Sequence, residues 1–224
     1  MSPEPSRWLF LILACSSLGL VTTVNRLGGR ELYALTGTRL LWMAELCVPS
    51  LLVCLLIYLA SRPSRPFAYP SPEASRPRLF RLAARWLLIW LAASAAAAGV
   101  VGHWIRYADG VLALACFVLV APLQEELLFR GALFELADRG WPGGSSWHPV
   151  LLTTVPFALQ HLQFHQFHLT TAALLQVGFT IPMGIVFGRL RAESGSLWPG
   201  LAVHILTNLP GAFGHSSSVI GWQA

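Results

Sequence analysis

The chain has 224 residues, 55% hydrophobic and only 11% charged, with a formal net charge of +5. A soluble domain carries roughly 25% charged residues, so this composition excludes an ordinary water-soluble enzyme and points to no nucleic-acid partner. It predicts an all-α fold, a polytopic bundle of about six to eight transmembrane helices in a lipid bilayer.

Hydrophobic runs fall at about 8–24, 40–60, 86–102, 111–128, 149–163, 169–188 and 197–213, several close to the roughly 20 residues that cross the hydrocarbon core. The first follows Arg7 like a signal peptide. Its core from Trp8 to Val24 is too long for a usual h-region and lacks a small-x-small cleavage site, so a retained first helix is expected. Glu45, alone in the second run, reads as structural, paired with Arg39 at the membrane edge.

Residues 61–85, SRPSRPFAYPSPEASRPRLFRLAAR, read as a loop between N-terminal membrane helices at 1–60 and a second part at 86–224, one compact domain overall. Arg62, Arg65, Arg76, Arg78, Arg81 and Arg85 place this loop in the cytoplasm by the positive-inside rule. Alternation from that anchor puts Arg7, Arg139, Arg189 and Arg191 on the same side. All 15 basic residues are arginine, which suggests avoidance of lysine codons in a GC-rich genome and a bacterial cytoplasmic membrane. Cys15, Cys47, Cys54 and Cys116 lie in apolar runs without CxxC spacing. They read as small core residues, not as a disulfide framework or zinc knuckle.

The fourth run is interrupted by APLQEELLFRG, residues 121–131, within one long helix expected from about Val111 to Asp138. Each ionised group at the bilayer centre costs roughly 2.5–3.5 kcal/mol on insertion scales, so the charges require partners. Glu126 and Arg130 are i,i+4 in the favourable order. They form either a buried salt bridge that fixes packing or part of a functional site. Glu125 lies 100° around an α-helix from that pair, so another helix must manage it. It is either a protonated interior carboxyl or a functional group.

The fifth run ends TVPFALQHLQFHQFH. Phe157 and His161 are i,i+4, so the ring can wall one side of the imidazole. A lone His in an apolar helix is often a satisfied core residue, while His165 and His168 fall in a polar stretch at the aqueous interface. The last run, SGSLWPGLAVHILTN, offers Ser196 as a cap and Pro199 in the first turn. It sets His204 and Asn208 on one face. At 1.5 Å per residue, Glu125 lies roughly 21 Å from Arg139, His161 roughly 18 Å from Pro149 and His204 roughly 10 Å from Leu197, so all three can meet at one buried level.

A carboxylate, two imidazoles and a carboxamide suit hydrolysis: a base for water, a group that orients it, and donors for an oxyanion. GxSxG, GxGxxG and P-loop patterns are absent. Glu125, His161 and His204 can alternatively hold zinc, although HExxH is absent, and metal-free glutamate chemistry is preferred. A transporter using Glu125 and Glu126 is a further alternative, against which no repeat of the glutamate motif occurs.

EELLFR (Glu125 to Arg130), FALQH (Phe157 to His161) and HILTN (His204 to Asn208) resemble, in order, the EExxxR, FxxxH and HxxxN motifs of the CPBP intramembrane proteases, which include CAAX prenyl endopeptidases and bacteriocin-processing proteins. The resemblance covers roughly residues 111–210 and makes 86–224 the catalytic core. It implies that Glu125 activates water with His161 assisting, that His204 and Asn208 form the oxyanion site, and that Glu126, Arg130 and Phe157 support them. The family is described both as metalloprotease and as glutamate-type, so kinship leaves zinc open. The implied substrate is a membrane-inserted or lipidated peptide or protein. A non-catalytic, bacteriocin-immunity-type membrane protein on the same scaffold is the alternative.

Overall fold

The computed structural model of the chain describes residues 3–24, 54–59, 76–101, 114–165 and 167–212, and every regular element among them is helical. Arg39, Glu45 and Cys47 lie outside the described residues. In chain order the elements are α1 (Pro3–Val24), a short helical segment at 54–59, and α2 (Arg76–Val101). A continuous α3 then runs through Cys116–Val120, Ala121–Glu125, Glu126–Leu133 and Phe134–Gly140. It is followed by α4 (Trp147–Gln160), α5 (Thr171–Ser194) and α6 (Trp198–Asn208).

Local chemistry sets the helix ends. Pro77 has the fixed φ and missing N–H that suit a first turn, so α2 begins inside the loop expected at 61–85 and carries Arg76, Arg78, Arg81 and Arg85. The Thr170 hydroxyl caps α5 by accepting from the Ala173 N–H at 3.2 Å. Gly195, left-handed at φ 67°, ends it with its N–H on the Arg191 carbonyl. Ahead of α6, Ser196 Oγ accepts from the Trp198 N–H at 3.3 Å, and Pro199 sits in the first turn. Hydroxyls within apolar helices donate back to their own backbone, as Thr153 does to Pro149 and Thr154 to Val150, both at 2.7 Å.

α3 is the central helix, and every residue from Glu126 to Ala137 is buried. α1 and α4 pack on its C-terminal half and α6 on its N-terminal half, while α5 packs on α4 and α6. α2 closes over α5 and α6. There the Trp90 indole N–H donates to the Thr207 carbonyl at 2.7 Å, and its ring lies 4.3 Å from that of Phe179. Phe10, Phe129, Leu133, Leu136, Phe157, Phe187 and Leu190 form the heart of the core.

α4 and α5 approach most closely through Gly184 and Gly188, the ends of a GIVFG sequence whose small residues let helices meet. A Cβ at Gly184 would stand 2.8 Å from Thr154 Cγ2 and 3.2 Å from Phe157 Cδ1, and one at Gly188 3.0 Å from Val150 Cγ1. This contact brings Phe157 and Phe187 face to edge, 6.3 Å apart.

One end of the bundle gathers the arginines. Arg7 donates to the Gly140 carbonyl and lies over the Trp141 ring at 5.4 Å. Glu135 pairs with Arg139 at 3.7 Å and with Arg191 at 3.6 Å, while Glu193 pairs with Arg189 and, at 3.4 Å, with Arg78. The sequence treats Arg191 as a loop charge beyond the membrane. The structure corrects this: Arg191 is buried, 6% exposed, because Glu135 and the Arg130 carbonyl, which its Nε meets at 3.0 Å, supply its partners. Cys54 and Cys116 are buried as expected, but Cys15 of α1 is exposed.

Among the described residues two helical stretches, Pro77–Ala96 and Ala173–Ser194, are long and apolar enough to cross a membrane. Others that the sequence counts as spans are shorter here: α4 has 14 residues and α6 has 11, or roughly 21 and 16 Å of helix.

The α4–α5 contact makes a prediction of opposite signs within one helix. Gly184→Ala forces a methyl against Thr154 and is expected to cost about 1–3 kcal/mol. Gly178→Ala, where a Cβ meets nothing, is expected to be neutral or to gain up to about 1 kcal/mol from helix propensity. Thermal unfolding of both variants in detergent measures the difference.

Candidate active site

The charged motif of α3 is wound as a π-helix over Glu126–Leu133, with i→i+5 hydrogen bonds of the kind that often mark functional segments. Glu125, the last residue of the α-wound Ala121–Glu125, and Glu126 both reach one ring, because its two nitrogens face different ways. His204 of α6 points Nδ1 at Glu126 Oε1 at 3.1 Å and Nε2 at Glu125 Oε2 at 3.6 Å. An ionised carboxylate only accepts, so Nδ1 carries the hydrogen that Glu126 receives, which fixes the ring's orientation.

Arg130 sustains Glu126. Its Nη1 lies 3.5 Å from Glu126 Oε1, with the two side chains 0% and 1% exposed. Nη2 donates to the Gly184 carbonyl at 3.3 Å. The guanidinium carbon stands 3.9 Å over the Phe157 ring, 5.3 Å from Phe187 and 5.9 Å from Phe129, a cage that offsets part of the cost of burial. Glu126 Oε2 has no hydrogen-bond partner among the described residues. It lies against Gly200, where a Cβ would be 3.0 Å away, so glycine is the residue that lets this carboxylate stand where it does.

Phe157 joins the two histidines, edge-on to His161 at 5.4 Å and to His204 at 6.1 Å. Phe187 stacks on His204 at 4.6 Å. His161 stands where α4 tightens into a 3₁₀ turn, so its backbone N–H bonds Ala158 and leaves the Phe157 carbonyl to its own Nδ1, 2.9 Å away. That carbonyl only accepts, so the hydrogen of the neutral ring sits on Nδ1 and Nε2 is the accepting nitrogen. Glu125, His204 and Arg130 all lie within electrostatic reach of this ring.

Asn208 is placed by a proline. In the π-wound stretch Cys116–Val120 the Ala121 N–H bonds the Cys116 carbonyl. The next carbonyl, Phe117, would meet residue 122, which is Pro122 and has no N–H. Asn208 Nδ2 donates to that carbonyl at 3.0 Å. One amide hydrogen thus clasps α6 to α3, and an NH₂ group retains a second. His165 and His168 stand apart from this cluster: His165 Nε2 bonds Gln176 Oε1 at 2.7 Å and His168 is exposed.

Six of the seven residues singled out from sequence, Glu125, Glu126, Arg130, Phe157, His161 and His204, therefore form one cluster, while Asn208, one turn beyond His204, is tied to the Phe117 carbonyl. Phe187, Gly184, Gly200 and Trp90 were missed. GIVFG carried a signal for the first two, since small residues four apart mark close helix approach, whereas nothing local marks Gly200 or Trp90. Among the described residues no three His, Cys, Asp or Glu side chains form a metal-holding group. Of the alternative zinc set Glu125, His161 and His204, Nε2 of His204 faces Glu125 at 3.6 Å and Nδ1 of His161 meets the Phe157 carbonyl.

No curated protein and no solved structure shows significant similarity to the chain. Residues 107–210, which hold every motif residue named above, match the family model described as type II CAAX prenyl endopeptidase Rce1-like, a similarity that supports kinship with the CPBP/CAAX proteases.

Proposed function

We propose that the protein is an intramembrane endopeptidase. It hydrolyses a peptide bond near the membrane-embedded or C-terminal part of a membrane-inserted or lipidated peptide. The observation that carries this reading is the imidazole of His204 held between the carboxylates of Glu125 and Glu126, in a segment that matches a model of CAAX prenyl endopeptidases. The two membrane-length helices and their outward-facing Leu88, Ile89, Leu174 and Leu175 support residence in the bilayer.

In this mechanism Glu125, 18% exposed and so the more open carboxylate, takes a proton from water as the water oxygen bonds to the scissile carbonyl carbon. His161, accepting at Nε2, orients that water. His204 faces Glu125 across 3.6 Å, which suits proton exchange with it better than oxyanion binding. The oxyanion role then falls to the second amide hydrogen of Asn208. Collapse breaks the C–N bond, and the proton taken from water leaves on the amine. Glu126 and Arg130 act through His204 and do not touch the substrate.

No step in this mechanism is routed through a metal. The test is cleavage of membrane peptides with apolar C-terminal tails by the purified chain in liposomes, read by mass spectrometry with and without a strong chelator. Glu125→Gln and His204→Ala are each expected to lower kcat by 10²-fold or more, on the scale of a lost general base, with chelation indifferent. Loss on chelation with rescue by zinc would overturn the metal-free step, and full activity of both variants would overturn the site.

Asn208 yields a separate prediction. As an oxyanion donor its replacement by Ala lowers kcat by about 10²-fold with KM little changed. As a clasp alone it would lower thermal stability and leave kcat near wild type.

A further inference from the structure

Between α1 and α4 runs a groove of about 380 Å³ lined by Phe10, Ala14 and Cys15 on one side and Leu151, Val155 and Leu159 on the other. Its volume falls in the roughly 300–1,000 Å³ range of ligand pockets. Nothing in the catalytic cluster uses it. The two helices are parallel: Arg7 meets Gly140 at the arginine-rich end, and ten residues later the Ser17 carbonyl accepts from Gln163 just past α4. The groove therefore extends away from the charged end. From Leu151 to Leu159 it covers roughly 12 Å of helix, most of the ~15 Å depth of one leaflet.

The mouth of the groove is chemically distinct from its length. Phe10, which lines it, meets the Trp141 ring edge-on at 5.7 Å, and the Arg7 guanidinium lies over that ring at 5.4 Å. Arg7 is exposed and donates through Nε to Gly140, which orients its terminal nitrogens without consuming them. The side of Val155 is 58% exposed and that of Leu151 50%. An apolar slot one leaflet deep, with an oriented cation and an indole at its aqueous end, matches one class of molecule.

We propose that this groove binds an anionic phospholipid, its acyl chain along Phe10, Cys15, Val155 and Leu159 and its headgroup phosphate at Arg7. The proposal rests on reading the chain as membrane-embedded but not on its protease activity.

The test is native mass spectrometry of the full chain, purified in detergent and titrated with phosphatidylglycerol or phosphatidylcholine. Wild type is expected to prefer the anionic lipid. Arg7→Gln is expected to remove about fivefold of that affinity, the worth of one interfacial arginine, and to leave phosphatidylcholine unchanged. Val155→Trp, on an exposed position, fills the slot and lowers binding of both lipids. Equal uptake of the two lipids by wild type, unchanged binding in Val155→Trp, or displacement of bound lipid by an apolar peptide tail would overturn the proposal. A chain that stays soluble without detergent and takes up neither lipid would overturn the membrane reading as well.

Discussion

A guanidinium that no solvent reaches must be neutralised where it stands, and Arg130 is 0% exposed at the centre of the bundle. Removing one member of such a pair leaves an uncompensated buried charge, at a cost of about 3–5 kcal/mol. The arrangement around Arg130 reads as the answer to that constraint. Glu126 supplies the countercharge, Gly184 a carbonyl, and Phe157 and Phe187 their faces. Each of these groups in turn fixes something in the site: Glu126 holds His204, Phe157 separates the two imidazoles, and Phe187 stacks on His204.

The backbone of α3 supplies the second half of the design. Its π-wound segments flank Ala121–Glu125, and Pro122 has no N–H to offer the Phe117 carbonyl five residues before it. Asn208 satisfies that carbonyl from α6, and Trp90 of α2 ties the neighbouring Thr207 carbonyl. Two irregularities in one helix thus position the helix that bears His204. Because Trp90 lies outside residues 107–210, the N-terminal part of the chain contributes to the site geometry and not only to its anchoring.

Much of the site was legible because polar residues in apolar runs are costly and few. Glu125, Glu126, Arg130, His161 and His204 announced themselves by interrupting hydrophobic sequence, and the i,i+4 spacings of Phe157 with His161 and Glu126 with Arg130 survive as contacts. The all-helical class followed from composition, while α2's start at Arg76 did not, since an arginine- and proline-rich stretch reads as loop until Pro77 is taken as a first-turn residue. The convergence of Glu125 and Glu126 on one ring was hidden because it comes from another helix, whose His204 turns one nitrogen to each carboxylate. Arg191 was misplaced because its partner, Glu135, is reached only across the fold. Gly200 was invisible for the same reason: its meaning lies in the carboxylate pressed against it.

The central claim is that Arg130 and Glu126 sustain each other as a buried pair so that Glu126 can hold His204. The most direct measurement compares Glu126→Leu, Arg130→Met and the double variant for thermal stability and for cleavage of a peptide that wild type cuts. The account predicts that each single change costs several kcal/mol, by the logic of an orphaned buried charge. The double variant recovers most of that stability but not the cleavage, because His204 has lost its anchor. A double variant that regained both would contradict it, leaving the pair a packing device and His204 independent of it.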